Sequence, residues 1–167
     1  MQVIISEVQE STNPYRDLLD IAEQLNQSKY IAVREDYIDE SILLGAFRAE
    51  RCVGFLRFNI AIIGRDVRRP PIRDAAGQPL REGFVEAFGV VPNARRQGIG
   101  QRLQEHAIHL CSQRGCYQIR SRSPITSHEN YALKLKMGYA IQPSADNDSY
   151  FFIKTVRSSS AGPPLID

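Results

Sequence analysis

Apolar positions along this chain alternate between two rhythms, one of period two and one of period 3.6. Val3 to Val8 alternates closely enough to predict a first strand. Asn13-Pro14 reads as a helix N-cap followed by proline at the first helical position. Tyr15, Leu18, Leu19, Ala22 and Leu25 then recur at helical spacing, predicting a helix from about 14 to 26. Residues 27–40 lose the rhythm and read as a second short helix or a loop. Ile42 to Arg48 and Cys52 to Ile63 are two apolar strands around a turn at Ala49-Glu50-Arg51.

The pattern breaks across residues 65–82, a long connection carrying Pro70, Pro71, Pro79 and several charges. Connections of this length inside a domain are usually functional or mobile. Phe84 to Val91 resumes as a strand, and a helix over 99–114 places Ile99, Leu103, Ala107 and Leu110 on one face with Gly115 to end it. Tyr117 to Ser121 is a further strand, Thr126 with Glu129 suggests a capping box for a helix ending near Gly138, and Tyr150 to Val156 closes the pattern as a strand. The serine-, glycine- and proline-rich tail from Arg157 to Asp167 reads as disordered, leaving residues 1–156 as one domain.

Composition narrows the classes. A chain of 167 residues can bury a core without metal or disulfide help. Its 43% hydrophobic and 24% charged content is that of a soluble protein. No apolar run approaches the ~18 residues of a membrane span, and the opening MQVIISEVQE lacks a signal peptide's basic start, so a cytoplasmic protein without membrane association is expected. Cys52, Cys111 and Cys116 form no metal-ligand grouping, and His106 and His109 lack a third ligand, so no metal is expected. A formal charge of +2 gives no reason to expect nucleic acid as a partner.

The chemistry concentrates between Phe84 and Leu103, FVEAFGVVPNARRQGIGQRL. An apolar strand meets a proline stop, a basic turn with two glycines, and a helix start. Such a turn leaves main-chain N–H groups unpaired at the positive end of a helix dipole, a ready place for a pyrophosphate. The dinucleotide fingerprint would need glycine where Leu103 stands, and no Gly-Lys-Ser or Gly-Lys-Thr follows to make a Walker loop.

Val90-x-Pro92-x-x-Arg95-x-x-Gly98-x-Gly100 resembles the acyl-CoA signature of the GNAT N-acetyltransferase superfamily, V-x-P-x-x-[QR]-x-x-G-x-[GA]. The resemblance implies acetyl-CoA as co-substrate. The main chain of Val90 and Val91 would meet the pantetheine, and that of Arg95, Arg96, Gln97, Gly98, Ile99 and Gly100 the pyrophosphate, with Asn130 as a further contact. The order of elements is that of the GNAT fold. This is an α/β (α+β) domain with a mixed, twisted sheet of six to seven strands and about four helices. The strand ending at Val91 and the one starting near Tyr117 would splay apart to form the acyl-CoA cleft.

Acyl transfer from a thioester to an amine needs a neutral amine, a stabilised oxyanion and a protonated leaving thiolate. Free amines titrate near ~10.4, so a base must take a proton. Glu86 lies four residues before Val90 and shares its face under a period of two. Some GNAT enzymes place a glutamate at this offset. The competing reading is a structural hydrogen bond. The oxyanion donor implied by the resemblance is the backbone N–H near Val90.

The family motif N-x-x-A-x-x-[FL]-Y-x-x-x-G-[FY] is kept at Leu133 and Gly138-Tyr139, but Ser127, Asn130 and Lys134 replace its asparagine, alanine and tyrosine. Lys134 is therefore a candidate proton donor, set against a plain solvated lysine. Tyr131, one turn earlier, is the candidate phenol, set against a rim aromatic.

The resulting expectation is an N-acetyltransferase acting by direct attack through a tetrahedral intermediate. The alternative is a non-catalytic acyl-CoA-binding or sensing module. The acceptor, a small-molecule amine or a peptide or protein amine, would enter between residues 27–40 and 65–82. There Glu35, Asp36, Asp39 and Glu40 would favour a cation. A homodimer is left open.

Overall fold

Ala49 and Glu50 both take left-handed φ, 48° and 64°, and reverse the chain between β2 (Ile38–Arg48) and β3 (Arg51–Ile62). Paired positive φ values are what a two-residue hairpin with the right-handed twist of a sheet requires. The register runs from Arg48 opposite Arg51 to Ile38 opposite Ala61. The computed structural model describes residues 2–32 and 34–156. The expected disordered tail, 157–167, lies outside the described residues.

Around this hairpin seven strands align in the order β1-β2-β3-β4-β5-β7-β6. The others are β1 (Ile4–Glu7), β4 (Arg81–Val90), β5 (Gln118–Pro124), β6 (Ala140–Pro143) and β7 (Ser149–Thr155). Every neighbouring pair is antiparallel except β4 with β5. A parallel pair needs a crossover, supplied by α2 (Ile99–Gln113). Only four residue pairs make this junction, from Glu82 opposite Gln118 to Val85 opposite Ser121. Beyond them β4 follows β3 and β5 follows β7, so a gap opens between the two parallel strands.

The sheet buries both faces. On one, Leu18, Ile21 and Ala22 of α1 (Asn13–Gln24) pack with Phe55 and Ala87. On the other, Ile99, Leu103, Ala107 and Cys111 of α2 pack with Leu56, Phe58, Val85 and Ile119. Each fully buried leucine or phenylalanine of this kind contributes about 1.5–3 kcal/mol. The two-sided burial explains why β3 reads as an almost unbroken apolar run.

Several expectations are corrected. Thr12, not Asn13, caps α1, its Oγ1 accepting from the Tyr15 N–H at 3.3 Å. Residues 27–40 keep to the reading of a short helix or loop as far as a 3-10 turn (Ser28–Tyr30), but β2 already begins at Ile38. β4 begins three residues earlier than Phe84. The capping box at Thr126 does not form: Ser127 occupies the N-cap of α3 (His128–Lys136) without a side-chain bond. The short β6 gives no periodic signal. The described residues hold three α-helices rather than four.

The correction with most consequence concerns register. Arg57 opposes Ala87 and Phe58 opposes Val85, so Glu86 is the extra residue of a β-bulge. The bulge shifts the alternation by one. Val90 packs on the α2 face, against Leu103, whereas Glu86 bonds Asn59 on the α1 face. Glu86 therefore does not share a face with Val90, because a period of two holds only along an unbulged strand.

The hairpin offers a stability test. Replacing Ala49-Glu50 by Asn-Gly removes the cost of left-handed φ at both residues and should stabilise the fold by about 1 kcal/mol. A rise in the guanidinium midpoint at unchanged slope would bear this out.

Candidate active site

The turn after β4 is built to be empty. Val91-Pro92 ends the strand, a 3-10 turn spans Pro92–Ala94, and Arg96 and Gly98 then take left-handed φ of 61° and 78°. Gly98 is the N-cap of α2, no side chain caps that helix end, and the first intrahelical bond runs from the Arg102 N–H to Gly98. The N–H groups of Ile99, Gly100 and Gln101 thus precede any helical acceptor. A Cβ on Gly98 would meet nothing within 4 Å. Gly100 is different: a Cβ there would lie 3.0 Å from the Phe88 ring, so it serves close packing.

The flanking side chains are held by their own chain. Arg48 donates to Gln97 Oε1 at 2.6 Å, Gln97 donates to the Asn93 carbonyl, and Arg95 donates to the Val90 carbonyl at 3.0 Å. Arg102 reaches the Val3 carbonyl and so ties α2 to the first strand. Arg96 is exposed. Val91 spends its N–H on Val53 and its carbonyl on Ala94. In this register the amides of Phe88 and Val90 turn away from β3 and toward the gap.

At the bulge, Glu86 is half-buried and accepts from Asn59 Nδ2 at 3.1 Å, and Asn59 Oδ1 in turn accepts from Arg57 at 3.3 Å. Desolvation pushes the Glu86 carboxyl above its ordinary value, partly offset by the Asn59 bond and by the charges of Arg57 and Arg120. It borders a cavity of about 40 Å³ together with Tyr37, Asn59, Asp66, Glu82 and Arg120. Tyr37 comes from the 27–40 segment and Asp66 from the 65–82 loop, so both segments assigned to the acceptor meet beside Glu86.

Glu82, the other carboxylate at this end of β4, is locked. Arg120 donates to both its oxygens, with Nη2 at 2.7 Å, and Gln118 adds a further bond. The same guanidinium reaches Asp66 at 2.6 Å and stacks over Phe84 at 4.7 Å and Phe151 at 5.5 Å. Of the four acidic residues expected to attract a cation, Asp39 pairs with Arg65 and Glu40 with Arg114. These two are engaged elsewhere in the fold.

The α3 helix reverses the sequence expectation. Lys134 is not solvated: it is 1% exposed, with Nζ 2.8 Å from Gln104 Oε1 and 4.2 Å above the Tyr139 ring. No carboxylate pairs with it among the described residues. Burial lowers its pKa to about 7. Tyr131 is 39% exposed and stands edge-on to Tyr150 and Phe152, each at 5.9 Å. Asn130 donates to Ser123 of β5 at 2.5 Å, while its buried Oδ1 has no partner.

The acetyltransferase (GNAT) family model matches residues 6–139. The chain belongs to the GNAT acetyltransferase family. Over 56 residues, 34% of its length, this GNAT chain is 38% identical to the aminoglycoside N(6′)-acetyltransferase type 1 of Klebsiella aerogenes; the match spans 37% of that relative. Among solved structures it resembles Arabidopsis thaliana NAA60 in complex with acetyl-CoA, with TM-score 0.67, 16% identity, and 93% of this chain and 99% of that one covered. The PaiA N-acetyltransferase of Thermoplasma acidophilum, in complex with coenzyme A, gives TM-score 0.67 at 15% identity, covering 93% and 99%. At such identities the likeness speaks for the fold. No helix among the described residues is long and apolar enough to cross a membrane.

Sequence reasoning missed Gln27, Arg57, Asn59 and Arg120. For two of them the signal was present: Arg57 and Asn59 put polar groups at alternate positions of an apolar strand, marking one face there as polar.

Lys134 yields a stability test with a definite sign. Its pKa is about 7 when folded against an ordinary 10.5, so between these values the unfolded chain binds more protons and stability rises with pH. Lys134→Met should make the protein more stable at pH 7 and flatten the rise in melting temperature from pH 7 to 9.

Proposed function

We propose that this protein is an acyl-CoA-dependent N-acetyltransferase that moves the acetyl group of acetyl-CoA to a primary amine by direct attack. The observation that carries the reading is the empty, uncapped, left-handed turn at Gly98, set at the end of a strand that has just parted from its parallel neighbour. The N–H groups from Ile99 to Gln101 and the helix dipole would hold the pyrophosphate. The pantetheine would run through the gap along β4, its amides meeting the outward main chain around Val90. The orphan acceptor Asn130 Oδ1 suits one of the arm's N–H groups.

Glu86 is the proposed base. Its raised pKa brings it closer to neutral pH, and the Asn59 bond fixes its orientation. The acceptor nitrogen would sit in the small cavity that Glu86 shares with Tyr37 and Asp66. The amine loses its proton toward Glu86 and attacks the thioester carbonyl. A backbone N–H of β4 stabilises the oxyanion, and collapse expels the thiolate. Of the two candidate acids, Tyr131 is the more accessible phenol, whereas Lys134 is closed in by Gln104 and Tyr139. The protein would work as a cytoplasmic enzyme.

Titration calorimetry with acetyl-CoA tests the coenzyme site. Gly98→Asp places a carboxylate where the pyrophosphate should lie and is expected to weaken binding at least tenfold. Equal affinity in the variant would sink the assignment. Glu86→Gln is expected to lower kcat/KM for an amine acceptor by about 10²–10⁴ while leaving acetyl-CoA affinity within twofold. The acid limb of the wild-type pH profile should lie above the ordinary carboxylate range and vanish in the variant. Binding without thiol release across an amine screen would instead favour a sensing module.

A further inference from the structure

One side chain already occupies the gap between the parallel strands. Gln27, in the turn after α1, places its carboxamide against the β4 edge just beyond the bulge. Its Nε2 donates to the Phe88 carbonyl at 3.0 Å, and its Oε1 accepts from the Phe88 N–H at 3.1 Å. A side-chain amide thus makes the pair of bonds that a neighbouring strand would make. The turn that carries it is seated on the same strand, because Gly89 leaves room for Leu25: a Cβ there would lie 2.6 Å from Leu25 Cδ1. Its own backbone is held by the Gln27 N–H bonding the Ala22 carbonyl at 2.7 Å. The next outward carbonyl, that of Val90, is occupied by Arg95.

Resting on the acetyltransferase reading above, we infer that Gln27 is a latch that stands in for the acyl thioester on β4 and is released when acetyl-CoA enters. The argument is one of valence. Phe88 offers one of the main-chain N–H groups turned into the gap near Glu86, and that proton is held by Gln27 Oε1. An amide N–H saturated by a well-aligned acceptor cannot also serve a thioester carbonyl at full strength. The exchange conserves hydrogen bonds, since the incoming carbonyl and pantetheine amide replace the carboxamide oxygen and nitrogen. It also frees the turn carrying Leu25 and Gln27 to move, and so couples coenzyme binding to the segment that leads to Tyr37 in the acceptor cavity. Gln27 is in this account a positioning residue, since it touches the strand and not the reacting atoms once the ligand is bound.

The test uses the full chain and two ligands. Acetyl-CoA spans the gap, whereas adenosine 3′,5′-diphosphate lacks the pantetheine arm and has nothing to place on Phe88. Gln27→Met keeps the bulk and removes both bonds, and Gln27→Ala removes the side chain. Both should tighten acetyl-CoA roughly five- to tenfold by calorimetry, the order of population ratio that two neutral hydrogen bonds sustain. Affinity for the diphosphate should not change.

If wild type binds acetyl-CoA and the variants bind it equally or more weakly, the latch is overturned and the acetyltransferase reading stands. If wild type does not bind acetyl-CoA, both fall together. A measurement without any variant guards against misfolding: the side-chain NH₂ resonances of Gln27 in labelled wild type should move to free-amide positions on adding acetyl-CoA and stay put with the diphosphate. An unmoved signal in the acetyl-CoA complex overturns the proposal.

Discussion

A four-residue parallel junction governs this molecule. Five of the six neighbouring strand pairs are antiparallel; the one exception, β4 with β5, forces the chain through α2 before it can return. That detour brings a helix N-terminus to the end of β4, where the two strands have already separated. The uncapped turn at Gly98 and the open gap are therefore one consequence of topology. The shortness of the junction matters as much as its direction. A longer ladder would close the gap and bury the main chain that now faces it.

Two devices keep the gap from collapsing. The bulge at Glu86 rotates β4 by one residue, so that apolar side chains stay under α2 while a carboxylate appears on the opposite face. Side chains then satisfy the exposed edge: Gln27 bonds Phe88 and Arg95 bonds Val90. An unpaired strand edge attracts other chains, and satisfying it with side chains preserves the opening while hiding its hydrogen-bonding groups. The cost falls on sheet regularity, which local packing of Phe55 and Leu25 around Gly89 recovers.

The fold was legible in the chain where periodicity is strong. α2 announced itself through Ile99, Leu103, Ala107 and Leu110, all four of which are buried, and the hairpin of β2 and β3 through two long apolar runs. The left-handed turn ahead of α2 was legible through spacing, because positive φ at an open helix end favours glycine where Gly98 stands. The face of Glu86 was not, since a bulge is an event of register between two strands and leaves no mark on either. Lys134 was misjudged for a related reason. A helix with a weak apolar stripe does not reveal which face is covered, and α3 exposes Tyr131 and Leu135 while burying Lys134. Gln27 was invisible because its partner lies 61 residues away.

Arg120 acts as a mechanical joint between β4 and the long loop. One guanidinium holds Glu82 of β4, Asp66 of the long loop and the ring faces of Phe84 and Phe151, while Arg65 pairs with Asp39 and Ile72 bonds the chain at Ile63 and Leu80. Beyond Ile72 the loop reverses at the small bridge between Arg73 and Pro79. The exposed tip between these two residues, 74–78, can change in length and chemistry with little disturbance to the sheet. Such a loop behaves as a cantilever, tied to the sheet at its base and carrying a tip whose variation costs the fold little.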